Sequence, residues 1–89
     1  MQRIVKHFAS PNFWQAYHSL PEEIRELADK NFQLLKGNPN HPSLKLKKID
    51  NFWSVRIGVK YRALAIETEL GLVWFWIGTH AEYDKILKS

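Results

Sequence analysis

A histidine and a tyrosine near the C-terminal end of the chain could move protons. His80 and Tyr83 follow Gly78, which lets the backbone turn directly after the apolar run at 72–77. Reactive groups often lie where a rigid strand ends. Histidine titrates near neutral pH, and tyrosine can donate a hydrogen bond or stack on a nucleobase. Spacing alone leaves open whether His80 is catalytic or an ordinary surface or capping residue.

Two arginines could hold a phosphate. Arg56 and Arg62 lie inside otherwise apolar segments, where a charged side chain needs a partner. The planar guanidinium group can grip a phosphate through two parallel hydrogen bonds. The alternative is an arginine that pairs with a carboxylate such as Glu67. The pattern favours phosphate binding and keeps the ion pair as the competing interpretation.

The basic residues are concentrated in one segment of the chain. Between His41 and Arg62 there are six basic residues and one acidic residue, a net charge of +5, whereas the whole chain carries +4. Such asymmetry suggests a polyanion as the partner. Taken singly, Lys45, Lys47 and Lys60 are better explained as solvated residues on a sheet. The candidate lysines for binding a nucleic acid are Lys45, Lys47, Lys48 and Lys60.

The composition excludes several classes of protein and site. The chain has no cysteine, which excludes disulfide scaffolds, thiolate nucleophiles and thiolate metal sites. Its four histidines show no metal-ligand spacing, so no metal or other cofactor is expected. No apolar run approaches the length of a membrane span, and no signal peptide is visible. With 89 residues, 45% of them hydrophobic, the sequence predicts one cytoplasmic domain over residues 1–89.

The N-terminal half has the pattern of one strand and two helices. Gln2–Phe8 alternates loosely and predicts an opening strand. Ser10 before Pro11 is a helix start signal, and the apolar residues that follow recur on one helical face. Pro21 cannot continue that helix but suits the first turn of a second one, which Gly37 ends. The two helices are expected to form an antiparallel hairpin.

From residue 44 onward the apolar residues follow the period of β-strands. Short connections separate the runs, and an amphipathic piece at Glu82–Leu87 predicts a short final helix. The predicted strands are Leu44–Ile49, Phe52–Ile57, Tyr61–Glu67 and Leu72–Ile77. The expected architecture is α+β, with a strand, a two-helix hairpin and then an antiparallel four-stranded meander, the helices packed on one sheet face.

Alternation within the strands predicts which charges share a face. Arg56 lies on the strand face opposite to that of Val55 and Ile57. In the next strand, Arg62 lies on the face opposite to that of Tyr61 and Ala63. If the hairpin covers the apolar face, a strip on the other face displays Lys45, Lys47, Arg56 and Arg62.

Two long runs of the chain resemble a known family. FWSVRIGVKYRALA at Phe52–Ala65 and VWFWIGTHAEY at Val73–Tyr83 resemble the RelE/ParE toxin superfamily of type II toxin–antitoxin systems, and more closely its RelE-like members. The element order matches over nearly the whole chain, and the specific motifs run from Leu44 to Leu87. The resemblance implies a metal-independent endoribonuclease that cuts mRNA on the ribosome, through attack of a ribose 2′-hydroxyl that yields a cyclic phosphate. It also implies a cognate antitoxin and a toxin–antitoxin hetero-oligomer.

The resemblance also implies roles for individual residues. Arg56 and Arg62 would stabilise the scissile phosphate, and His80 would be the general acid or base. Tyr83 would stack on a substrate base or move a proton. The lysines at 47 and 48 would contact the RNA backbone.

Two departures from the family pattern bear on the site. Ser54 stands about where RelE has a lysine, so the basic cluster is thinner by one charge. Glu82 adds a negative charge that opposes phosphate approach unless it orients His80.

Superfamily membership leaves two other functions open. ParE-like members share the fold but inhibit DNA gyrase without nuclease residues, and an inactive antitoxin-binding module is a third possibility. The ending with His80 and Tyr83 favours the RelE-like interpretation.

Overall fold

The computed structural model describes residues 6–88. They form a five-stranded sheet in the order β1-β5-β4-β3-β2, in which β1 runs parallel to β5 and the other neighbours are antiparallel. The predicted α+β fold, with a helical hairpin before an antiparallel meander, is confirmed. The elements are β1 (His7–Ala9), α1 (Pro11–His18), α2 (Glu22–Gly37), β2 (Lys47–Ile49), β3 (Phe52–Ile57), β4 (Tyr61–Thr68), β5 (Gly71–Thr79) and α3 (His80–Lys88).

The two helices of the hairpin begin where the sequence predicts. The Ser10 side chain accepts a hydrogen bond from the backbone N–H of Phe13 (3.3 Å), so it caps α1, and Pro11 occupies the first turn. α2 starts after Pro21 and ends at Gly37. Carboxylates lie in its first turn and Lys36 in its last, which suits the helix dipole.

The opening strand ends one residue later than predicted. The predicted strand was Gln2–Phe8, whereas β1 covers His7–Ala9; residues 2–5 lie outside the described residues. β1 pairs with β5, and the backbone N–H of Ser10 donates to the carbonyl of Trp74 (2.9 Å). The start of α1 is thereby fixed to the sheet.

The second strand is shorter than predicted, because the backbone at Lys45 is not extended. Lys45 has a φ of +46°, in the left-handed region, so the strand predicted from Leu44 begins only at Lys47. The carbonyl of Leu44 still accepts a hydrogen bond from the N–H of Arg56 (2.7 Å). The final helix, α3, begins two residues before and ends one residue after the predicted Glu82–Leu87.

The main core lies between the hairpin and one face of the sheet. Helix α1 packs on β5 and α2 on β3, and most of the buried apolar side chains of β3, β4 and β5 lie on this face. The helices therefore cover this face, as predicted. Core residues from the helices and the three central strands include Leu20, Ala28, Leu35, Val55, Ile57, Ala63, Ala65, Leu72, Trp74 and Ile77.

The second face of the sheet is partly covered by α3, which contacts β4 and β5. Ser54, Leu64 and Tyr83 are buried there, at 1%, 0% and 5% exposure, outside the main core. A register shift between Leu64 and Ala65 places both Phe75 and Trp76 on this face. The second face is thus split into an end covered by α3 and an open end.

Candidate functional site

Arg56 and Arg62 face each other across β3 and β4. The N–H of Arg56 bonds to Leu44, and its carbonyl accepts from the side-chain amide of Asn31 (3.0 Å). Both backbone groups therefore point away from β4, and the two arginines form a non-hydrogen-bonded pair, in which side chains lie closest. Two positive charges are held side by side on the second face, as alternation predicted.

Neither guanidinium group has an acidic partner among residues 6–88. Arg56 Nε donates to the carbonyl of Gly58 and Arg62 Nη1 to that of Tyr61, each at 2.8 Å. Within residues 6–88, no carboxylate lies within 4 Å of either group. Both side chains are half-buried. Like charges directly opposite each other destabilise a sheet, so this pair is suited to an anion from outside.

The alternative pairing of an arginine with Glu67 is wrong. Glu67 lies on the hairpin side of the sheet, and its Oε1 accepts a hydrogen bond from the indole N–H of Trp53 (2.9 Å). Its carboxylate is therefore engaged on the face opposite the arginines.

The four candidate lysines are all exposed but are not equivalent. Lys47 is opposite Ser54, and so it shares the face of the arginines, whereas Lys48 is opposite Trp53 on the hairpin side. Lys60 lies in the β3–β4 turn, where its carbonyl accepts from the N–H of His80 (2.7 Å). Lys45 precedes β2, and its left-handed backbone removes it from the strand alternation that predicted its direction. The register thus adds one lysine, Lys47, to the arginine face.

His80 begins α3 beside the arginine pair. Gly78 is opposite Arg62 in the sheet, and Thr79 ends β5. His80 is therefore two residues along the chain from the position opposite Arg62. The imidazole is half exposed, and its Nδ1 lies 3.2 Å from Oδ2 of Asp84, whose side chain is also half exposed. The predicted helix began at Glu82, which left His80 outside it. Sequence reasoning therefore missed Asp84, although a helix from residue 80 makes the two residues i, i+4 neighbours.

Glu82 caps α3 and does not orient His80. Its Oε1 accepts from the backbone N–H (3.1 Å) and hydroxyl (2.9 Å) of Thr79, and the Thr79 hydroxyl oxygen accepts from the N–H of Glu82 (3.2 Å). This is a capping box, whose Thr-x-x-Glu signature was visible in the sequence. The hydrogen bonds from Thr79 lower the pKa of Glu82. The charge expected to oppose phosphate is thus tied to the start of the helix.

Gly78 lets the chain pass close to Trp76 before it enters α3. A Cβ at position 78 would lie 2.5 Å from the Trp76 ring and 3.1 Å from Oε1 of Glu82. A side chain there would displace the indole or the cap. The glycine therefore sets the path that leads to His80.

Tyr83 is buried, which limits its predicted role. Its ring is 5% exposed, and its centroid lies 5.6 Å from that of the His80 ring. A buried ring offers no face to a nucleobase while α3 keeps this position. The arrangement places Tyr83 as a support beneath His80.

The open end of the second face is apolar. Register aligns one side chain from every strand, with Phe8 beside Val73, Val73 beside Ile66 and Ile66 beside Phe52. Phe8 and Ile66 are 42% and 40% exposed, and Phe75 contacts Phe52 with ring centroids 5.6 Å apart. We call the five aligned residues the apolar row: Phe8, Ile49, Phe52, Ile66 and Val73.

A separate groove of about 290 Å³ lies on the hairpin side, between α1, α2 and the sheet. Its walls are apolar, and it includes none of the predicted site residues. Asn31 lines it and reaches through to the carbonyl of Arg56. This contact joins the hairpin to the strand that carries the site.

Metal and membrane features are absent from the described part of the chain. Within residues 6–88, no group of three or more His, Asp or Glu side chains could hold a metal ion. None of the helices in that range is long and apolar enough to cross a bilayer.

Solved structures share this fold. A chain of the RelB-RelE antitoxin–toxin complex from Methanococcus jannaschii is 14% identical, with a TM-score of 0.69 over 89% of this chain and 96% of that one. YafQ from Escherichia coli is 14% identical, with a TM-score of 0.71 over 89% of this chain and 97% of that one. A chain of the RelBE2 toxin–antitoxin complex from Mycobacterium tuberculosis is 18% identical, with a TM-score of 0.65 over 88% of this chain and 100% of that one. No family model and no curated protein matches the chain. The RelE-like fold implied by the sequence resemblance is confirmed.

Proposed function

We propose that this chain is the toxin of a type II toxin–antitoxin system and cleaves mRNA on the ribosome without a metal ion. The observation that carries the proposal is the Arg56–Arg62 pair, which lies beside His80 and has no carboxylate partner in the described part of the chain. Unpaired like charges lower stability, and an anionic substrate is the reason we give for keeping them. The fold shared with RelE and YafQ supports the same function.

The reaction needs charge stabilisation and proton transfer at one phosphate. The 2′-oxygen of a ribose bonds to the adjacent phosphorus and gives up its proton, and the bond from phosphorus to the 5′-oxygen breaks. The 5′-oxygen takes up a proton, which leaves a 2′,3′-cyclic phosphate and a 5′-hydroxyl. Arg56 and Arg62 hold the negative charge of the pentacovalent phosphorus. His80 is the general acid or base that transfers a proton to or from one of these oxygens.

The remaining candidates act around this centre. Lys47 shares the arginine face and Lys60 lies at the start of β4, so these two lysines hold phosphates next to the scissile one. Lys45 and Lys48 contact more distant phosphates or ribosomal RNA. Tyr83 packs beneath the His80 ring, and a base-stacking role for it requires α3 to move away.

The proposed protein partner is a small antitoxin with an acidic segment. The relatives from Methanococcus jannaschii and Escherichia coli were crystallised as RelB-RelE and DinJ-YafQ complexes. The second face pairs a basic end with the apolar row, which suits a segment that carries carboxylates and apolar side chains together. Such a segment blocks the arginines, and the resulting hetero-oligomer is inactive. The site of action is the cytoplasm, where mRNA is translated.

The test is cleavage of a defined mRNA by the purified chain on programmed ribosomes, with and without EDTA. We expect cuts that map to the ribosomal A site, that leave cyclic phosphates and that persist in EDTA. Arg56→Ala and His80→Ala should each lower the rate by about 100-fold or more. Lys30→Ala, which removes an exposed charge from α2, is the matched control. Full cleavage by the His80 and Arg56 variants would contradict the assigned roles.

Expression of the chain in growing cells separates the two alternatives. A gyrase inhibitor of the ParE type would arrest growth with DNA damage and intact mRNA, and His80 would be dispensable. An inactive antitoxin-binding module would not slow growth when expressed alone.

A further inference from the structure

We propose that Asp84 is a positioning residue that fixes His80 as the tautomer with its proton on Nδ1, and so leaves Nε2 as the atom that accepts a proton. The choice of His80 as the proton carrier rests on the proposed function. The tautomer itself rests on the geometry of α3 alone.

The contact between the two side chains defines the tautomer. Nδ1 of His80 lies 3.2 Å from Oδ2 of Asp84. An ionised carboxylate only accepts hydrogen bonds, so Nδ1 must be the donor. A neutral imidazole carries one N–H, and its other nitrogen keeps a lone pair. Nε2 is therefore free to take a proton from a substrate hydroxyl.

The backbone on both sides of the contact is held in place. The N–H of His80 donates to the carbonyl of Lys60, and the capping box of Thr79 and Glu82 starts the helix immediately before it. One helical turn then brings Asp84 onto the same side as His80. The imidazole also contacts the buried ring of Tyr83. Neither side chain depends on a mobile loop for its position.

Glu82, the other carboxylate near His80, is already engaged. Its Oε1 accepts two hydrogen bonds from Thr79, so Asp84 is the carboxylate at Nδ1. When Nε2 receives the 2′-proton, His80 becomes a cation with protons on both nitrogens. The Asp84 carboxylate stabilises that cation and keeps the ring in one orientation, as a carboxylate does for a histidine in hydrolytic triads.

The first experiment reads the tautomer directly and needs no RNA. The chain is labelled with ¹⁵N-histidine, and long-range ¹H–¹⁵N spectra are recorded at a pH where the imidazole is neutral, with His80→Gln to assign the signals. We expect Nδ1–H as the main form in the wild type. In Asp84→Ala the Nε2–H form should become the main one. Asp84→Asn should retain Nδ1–H, since its amide oxygen still accepts the bond.

Glu26→Ala is the matched control for the loss of one exposed carboxylate from a helix, and it should leave the His80 signals unchanged. A wild-type spectrum dominated by Nε2–H would overturn the proposal. So would an Asp84→Ala spectrum identical to that of the wild type. Thermal melts verify that each variant is folded.

The second experiment measures the consequence for cleavage on programmed ribosomes. We expect kcat to fall about 10-fold in Asp84→Ala with KM unchanged, and Asp84→Asn to recover part of the loss. A rate equal to the wild type would overturn the positioning role. If the wild type cuts no RNA, the proposed function fails, whereas the spectra still decide whether Asp84 sets the tautomer. The two failures are therefore distinguishable.

Discussion

The two faces of the sheet differ in burial and in charge. On the hairpin side, Val55 and Trp74 are 4% and 3% exposed and belong to the main core beneath the helices. On the other side, Arg56 and Arg62 repel each other, and the apolar row is partly open to solvent. Burial of apolar area is the main favourable contribution to folding. The first face therefore supplies most of the stability, and the opposed like charges of the second face lower it.

A single strand serves both faces. In β3, Val55 packs under the hairpin while Arg56, the next residue, points the other way. Asn31 on α2 bonds to the carbonyl of Arg56, so a helix of the stable side helps to hold the charged side in position. Mutations on the two faces should consequently have different signatures, and four predictions test that difference in order of decreasing effect.

The largest effect is expected from Trp74→Ala on the hairpin side. Removal of this buried indole should lower the free energy of unfolding by about 3–5 kcal/mol, because it leaves a cavity among rings and aliphatic side chains. Urea unfolding of the purified chain measures it. Ile66→Ala, which truncates an exposed member of the apolar row, should cost less than about 1 kcal/mol. Equal losses from both variants would erase the contrast between the faces.

The second prediction concerns Arg62→Gln on the charged side. Cleavage should fall about 100-fold, or about 2.7 kcal/mol of transition-state stabilisation. Stability should rise by about 0.5 kcal/mol, because the repulsion from Arg56 is removed. Rates on programmed ribosomes and urea unfolding measure the two quantities on the same preparation. Lys30→Gln is the charge-matched control and should change neither. A less stable Arg62→Gln would show that the pair supports the fold.

The third prediction concerns α3, the helix that covers one end of the second face. Thr79→Ala removes one half of the capping box and should lower the free energy of unfolding by about 1 kcal/mol. The loss should be concentrated in α3, so amide exchange in residues 82–86 should rise more than in β3. Thr68→Ala is a matched control in the β4–β5 turn, where the hydroxyl contacts Leu70 and Gly71. Uniform exchange changes over the chain would contradict a local role.

The charged face was largely predictable from the sequence, because it depends on short-range periodicity. Alternation placed Arg56 and Arg62 on one face, and the register confirms it. The caps at Ser10 and Pro21 likewise followed from local signals. These features need only a few residues of context, which is where propensity and pattern are informative.

The features that the sequence did not reveal depend on tertiary placement. No pattern indicated the left-handed backbone at Lys45, which shortens β2. The burial of Tyr83 results from the docking of α3 on β4 and β5, and the sequence showed only a short amphipathic piece there. Asp84 was missed because the start of α3 was placed two residues late. The Thr79-x-x-Glu82 signal would have corrected that boundary.

The smallest effect is expected from His7, a titratable residue on the hairpin side of the sheet. Its Nδ1 accepts a hydrogen bond from the indole N–H of Trp74 (3.0 Å). Burial, and then the charge of Lys36, lower the pKa of His7 below its ordinary 6.5. The folded chain therefore binds fewer protons than the unfolded chain between that lowered pKa and 6.5. Stability should be full above this window and should fall as the pH drops through it.

His7→Asn tests this contribution, because the amide oxygen can accept the indole hydrogen bond but does not titrate. Between about pH 7.5 and about pH 5.5, the variant should lose less unfolding free energy than the wild type. Lys36→Gln should reduce the wild-type loss in part, and Lys30→Gln should leave it unchanged, since only Lys36 acts on His7. An unchanged pH dependence in His7→Asn would place the acid-sensitive groups elsewhere. The expected result shows that burial on the hairpin side disfavours the charged form of His7.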